Sequence, residues 1–178
     1  FDWCAAFPQA VIRKRPVLCV FHAWALVISF RLDNQPAAEA RLQQAEAALA
    51  AIDPPTRAGL VAGAPPVNLH TWVEGQITLL RSYNLMMAPR RQADPQALID
   101  LGLLAYNRLP CEDITARSAA LLDIGYAAQA RCDVREADIR FEQAMTLALS
   151  GGNYFGAVAA EYHRAHGIMH QGKLREAL

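Results

Sequence analysis

Alanine returns at a fixed interval in this chain. Ala97, Ala137 and Ala177 stand 40 residues apart. Leu101 and Phe141 follow the first two by four residues, and Leu104 and Ala144 follow by three more. Steps of four and three keep to one face of an α-helix. A repeat of this length is a supersecondary unit that cannot bury its own apolar face and must stack on its neighbours. A small residue early in the second helix of a pair lets two helices approach to about 8 Å. The bulky residue four positions on fills the groove beside it. Gly125 and Ala165, also 40 apart, lie inside the first helices of their pairs. Glycine there costs about 1 kcal/mol against alanine, and a close helix crossing is the compensation expected. The expected fold is all-α, an α-solenoid of helical hairpins with repeats of about 40 residues.

Composition supports helices throughout. Ala and Leu, strong helix formers, supply 34 and 21 of the 178 residues. The pattern predicts a short helix near 3–13, then helices over 16–31, 36–52, 67–87, 95–108, 112–131, 134–150 and 153–171, with a last one starting at 173. Paired prolines at 54–55 and 65–66 forbid helix between the third and fourth. Asp94 before Pro95 reads as an N-cap with proline at the first helical position. Pro110 ends one helix, and Gly151-Gly152-Asn153 ends another and starts the next. The hairpins fall at about 16–52, 67–108, 112–150 and 153–178, within one domain spanning 1–178. The last hairpin is cut short, and the chain starts without Met, so a fragment of a larger protein is expected. The uncapped C-terminal end is expected to associate weakly with another copy.

The remaining composition removes several functions. With 17 Lys+Arg against 17 Asp+Glu the net charge is zero, which lacks the basic excess of a nucleic-acid or anionic-membrane binder. Cys4, Cys19, Cys111 and Cys132 are too scattered for a disulfide framework or a zinc knuckle, and fit free thiols in a reducing cytoplasm. The apolar run 17–30 behind Arg13-Lys14-Arg15 imitates a secretory signal, but it is too short to span a membrane and starts at Pro16 like a helix. No phosphate-cradling G-x-x-x-x-G-K-[ST] run and no nucleophile elbow is present. The chain is therefore expected to be neither an enzyme nor a cofactor carrier.

Binding is better motivated. In stacked hairpins the first helices line the inner curve. Aligning their small residues brings Trp24, Ser82, Tyr126 and His166 to one inward position. Gln129 and His170 lie one turn further along, and Tyr162 one turn before His166. The candidate ligand-binding face is thus Ser82, Tyr126, Gln129, Tyr162, His166 and His170. Aromatic rings flanked by amide and imidazole groups suit sugars, small cyclic ligands or peptide backbones. Trp24 reads as a packing residue between repeats. Tyr126, Tyr162 and His166 are open to either role. His163, His166 and His170 share a face that a transition metal can use, but no further ligand is identifiable by spacing, so a polar face is the simpler reading and no metal is assigned. Arg81 either pairs with an acid or holds an anionic ligand.

Three stretches carry a family resemblance. Ile124-Gly125-Tyr126, Cys132-Asp133, Ala137, Phe141 and Ala144 resemble the tetratricopeptide pattern. Arg15-Pro16-Val17-Leu18-Cys19, His22-Ala23-Trp24-Ala25-Leu26, Arg31-Leu32, Ala40, Leu42 and Ala45-Glu46 are more particular. So are Ala144-Met145, Leu147-Ala148 and Gly151-Gly152-Asn153, followed by Gln171-Gly172-Lys173-Leu174-Arg175-Glu176-Ala177. In order and spacing they resemble the helical-repeat sensor region of MalT-type, LuxR-family transcriptional regulators. Cys132 stands where that pattern has glycine, and Asn34-Gln35-Pro36 and Pro89-Arg90-Arg91 look like insertions. The resemblance implies a sensor lying between a nucleotide-binding switch module and a helix-turn-helix, binding a small-molecule effector or a modulating protein. DNA contact would then belong to a separate module. The alternative is a tetratricopeptide-like scaffold that binds a peptide or partner domain.

Overall fold

The computed structural model describes residues 7–29, 31–52, 68–87 and 94–172. Among them are eight α-helices and no strand. The helices are α1 Gln9–Ile12, α2 Pro16–Ile28, α3 Gln35–Ala50, α4 Leu69–Met87, α5 Pro95–Arg108, α6 Ile114–Ala130, α7 Val134–Ser150 and α8 Tyr154–His170; a 3-10 turn, Leu32–Asn34, precedes α3. The bounds of α5 and α7 are those the sequence predicts. Helix α2 stops three residues early. The Ser29 hydroxyl donates to the Leu26 carbonyl at 2.5 Å and accepts from the Asn34 amide at 2.8 Å, which turns the chain into the 3-10 segment. Only one turn of the expected first helix is seen, over Gln9–Ile12. Residues 1–6, the proline-rich 53–66 and the start at 173 lie outside the described residues.

Local chemistry explains where the later helices begin and end. Asp94, Asp113, Asp133 and Asn153 each accept a backbone N–H of the first turn through the side chain, at 2.9–3.1 Å. At the ends of α6 and α7 the Asp133 and Asn153 amides reach back to Ala128 and Ala148, both at 2.9 Å. This is the double backbone closure of a Schellman turn, and it needs a left-handed residue between helix and cap. Gly152 fills that place with φ 70° and Cys132 with φ 61°.

Each helix from α2 to α8 packs on the next, and α2, α4, α6 and α8 also touch in series. These four therefore form a continuous layer, and α3, α5 and α7 sit in the angles between its members. Connections of three residues between α6 and α7 and between α7 and α8 make those neighbours antiparallel. Alanine makes close packing possible: Ala23, Ala38, Ala45, Ala105, Ala120, Ala127, Ala144, Ala148 and Ala160 have no exposed surface. The Phe141 ring lies against Gly125, where a methyl group would come within 2.6 Å of ring carbon Cε1. A close crossing at Gly125 is expected from the sequence, and the structure shows that Phe141 is what lies against it.

One expected register is corrected. Between α5 and α7 the offset is 39 residues, not 40. The caps Asp94 and Asp133 are 39 apart, and the buried sets Leu98, Gly102, Ala105 and Ala137, Phe141, Ala144 match at that offset. Ala97 and Leu101 are consequently only half-buried, and Leu104 is 42 % exposed. Leu104 does not take Ala144's place; Ala105 does, packing with Ala120 as Ala144 packs with Ala160. The offset of 40 does hold between the caps of α6 and α8, Asp113 and Asn153.

Candidate functional site

The series α4, α6, α8 carries a chain of polar side chains through the helix layer. Its inner end is Asp123, in the middle of α6 and only 2 % exposed. Burial pushes its carboxyl up to about 7, and the facing Ser82 hydroxyl opposes that shift. Neither Ser82 Oγ nor Asp123 Oδ2 has a hydrogen-bond partner of good geometry. Tyr83 on α4 and Tyr126 on α6 both feel the Asp123 charge. Burial is the main cause that raises the Tyr126 phenol well above its ordinary value, so it stays protonated.

One turn beyond Asp123, the Tyr126 hydroxyl meets His163 Nε2 on α8. The His163 pKa is lowered, by burial first and by His166 second. With its proton on Nδ1 a neutral imidazole accepts from the phenol at Nε2, and with its proton on Nε2 it donates to the phenol oxygen. The Tyr126 ring also stands edge-on to Phe141, with centroids 5.9 Å apart. From His163 the ring chain continues outward. Tyr162 and His166 are stacked at 6.2 Å, and His166 and His170 meet edge-on at 4.3 Å. Gln129 lies under α8, its amide nitrogen 3.6 Å from where a Cβ on Gly167 would be.

The structure thus sets Tyr126 and Gln129 of α6 against α8, on which Tyr162, His166 and His170 form a further ring series. Ser82 is corrected: it has no exposed surface and cannot line an open face. It sits inside, between α4 and Asp123. The three histidines are on one helix but do not converge, because His163 turns to Tyr126 while His166 and His170 pair with each other. No group of three or more His, Cys, Asp or Glu is placed to hold a metal among the described residues. Arg81 pairs with acids, reaching Glu39 at 2.8 Å and Glu46 at 2.7 Å on α3. Trp24 on α2 packs against two clusters, one shared with α3 and α4 and one with Leu79, Ala105 and Ala120 of α4, α5 and α6, and donates to Gln76 at 2.8 Å. The residue that sequence reasoning missed is Asp123. Its signal was present: an acid inside the otherwise apolar run 119–128 that also carries Gly125 and Tyr126.

Two hollows flank this chain of residues. One, of about 10 Å³, has room for roughly one water and lies between Tyr83, Leu26, Val27 and Met87. The other is an open groove of about 680 Å³ lined by Tyr106, Leu121 and the α7 residues Ile139, Arg140, Gln143 and Thr146. None of the expected site residues lines it. Along α8 the apolar side chains Phe155, Val158 and Tyr162 are 79 %, 69 % and 63 % exposed. No helix of the described residues is long and apolar enough to cross a membrane. Neither family models, nor curated proteins, nor solved structures yield a match to this chain.

Proposed function

We propose that this chain is a signal-sensing repeat domain, an α-solenoid of tetratricopeptide-like hairpins that binds an effector on its α6–α8 face. Its resemblance to the sensor region of MalT-type, LuxR-family regulators gives the role. Binding here would be relayed to nucleotide-binding and DNA-binding modules elsewhere in such a protein, working in the cytoplasm. The observation that carries the reading is the Tyr126–His163 pair with Tyr162, His166 and Gln129 around it. Two helices two apart in sequence are joined there by polar rings instead of plain apolar packing. A ligand that engages those rings changes how α8 sits on α6, and a sensor needs that coupling.

The openness of the surface favours a modulating protein or peptide over an enclosed small molecule. The exposed Phe155, Val158 and Tyr162 favour the same class, and with it the second reading, a tetratricopeptide-like interaction scaffold. A displayed peptide library and a panel of sugars, nucleotides and aromatic metabolites, each tested against the purified chain, separates the cases. A ligand at 100 times its Kd adds about 2.7 kcal/mol, or roughly 5–10 °C in Tm for a domain of this size. The expected hit is a peptide that protects α6 and α8 amides from exchange and is lost in Tyr162→Ala. A metabolite hit lost in Tyr126→Ala would move the assignment to a small effector. Binders that protect only α2 and α3 would overturn the site.

A further inference from the structure

His166 and His170 stand one turn apart near the end of α8, and their Nε2 atoms are 3.1 Å apart. Tyr162 stacks on the His166 ring from the preceding turn, with the planes 23° apart. His170 is exposed and His166 half-buried, so solvent reaches the pair. Arg164 on the same helix is tied to Asp138 at 2.7 Å, which offsets its charge.

Two imidazole nitrogens at this spacing have two uses. One ring can donate an N–H to the other, or both can present lone pairs to one cation. Imidazole nitrogen sits about 2.0–2.1 Å from zinc, and an ion at that distance from both atoms would see them at about 100°. That lies between the ~90° of cis ligands in tetragonal or octahedral complexes and the ~109° of tetrahedral ones. The helix already fixes both backbones one turn apart, the arrangement by which paired histidines of helical metal sites reach one ion. Position 167 is glycine, where the H-E-x-x-H pattern has its glutamate base. The chemistry offered is binding, with water completing the coordination.

We infer that His166 and His170 form a two-histidine chelate for a divalent first-row transition metal of the Ni2+, Cu2+ or Zn2+ class. The site shares His166 and His170 with the proposed effector face but does not require that an effector binds there. A bound ion would clamp the last turn of α8 next to Gln129 and hold the His166 ring in place under Tyr162.

The test is calorimetric titration of the chain with Ni2+ alone, together with NMR of the imidazole ring protons during addition of Zn2+. The expected result is one ion per chain, with the His166 and His170 ring signals moving together and His163 unmoved. His166→Gln and His170→Gln each raise the Ni2+ Kd at least tenfold, and His163→Gln changes it less than twofold. Should His166→Gln fail to fold, the exposed His170→Gln decides alone. Unchanged affinity in His170→Gln, or ring signals that stay still while metal binds, would overturn the site and leave the pair as an N–H···N hydrogen bond.

Discussion

Asp123 shows how much one residue can set. Its carboxyl is buried, faces Ser82, and stands near the Tyr83 and Tyr126 phenols, with a pKa raised to about 7 by burial. Below about pH 4 the folded and unfolded chains both hold the proton, and stability does not depend on it. From about pH 4 to 7 the unfolded chain has released a proton that the folded chain keeps, so stability falls as pH rises. Above about 7 the loss is complete, up to about 4 kcal/mol for a shift of that size. Asp123→Asn removes the titration. Denaturant melts are expected to show the variant at least about 1 kcal/mol more stable at pH 8, with the gap closing toward pH 4. A gap that does not change with pH would contradict a titrating buried carboxyl. Cys132 is the second such residue. It holds φ 61° in a turn where Gly152 and Gly172 hold 70° and 78°. Left-handed backbone costs a side chain about 1–2 kcal/mol, so Cys132→Gly should gain about 1 kcal/mol and raise Tm by roughly 2–4 °C.

Between elements, the α6–α7 crossing depends on the absence of a side chain at Gly125. Alanine there would bring a methyl against three carbons of the Phe141 ring. Gly125→Ala gains about 1 kcal/mol of helix propensity and loses about 1–3 kcal/mol to overpacking. The expected sum is destabilisation, read by denaturant melts. Phe141→Leu in the Gly125→Ala background should recover part of it, because the smaller side chain gives room. A simple sum of the two single effects would show that the residues do not share one contact. The sequence showed the pairing of small and bulky positions but not their register. Ala97 and Ala137 match as letters, yet Leu98 and Ala137 match as buried positions, with the caps one residue out of step with the alanines. In a sequence this rich in alanine, letters recur more often than environments do.

For the whole molecule, the covered face of α6 that carries Ser118 and Leu122 has a counterpart on α8 that is exposed. Ser118 and Leu122 of α6 are buried and half-buried, while the residues 40 later, Val158 and Tyr162, are 69 % and 63 % exposed. Self-association through this exposed α8 face is the expected consequence. Sedimentation should show mass rising with concentration, and Val158→Glu should return the chain to monomer with unchanged helicity. A strict monomer at high concentration would remove the prediction.

Local signals determined the helices. Caps, prolines, Gly-Gly breaks and steps of three and four residues are written in neighbouring letters, and each acts within a turn or two of where it stands. They placed α5 and α7 to the residue and put Tyr126, Gln129, Tyr162, His166 and His170 on two helices. Tertiary structure decided what those helices do to one another. It placed Ser82 inside against Asp123, turned His163 away from the other histidines toward Tyr126, and moved one register by a single residue. Burial, pKa and ring contacts depend on which faces meet, and that choice is made by packing across 37 or more residues of chain, beyond the reach of any local signal.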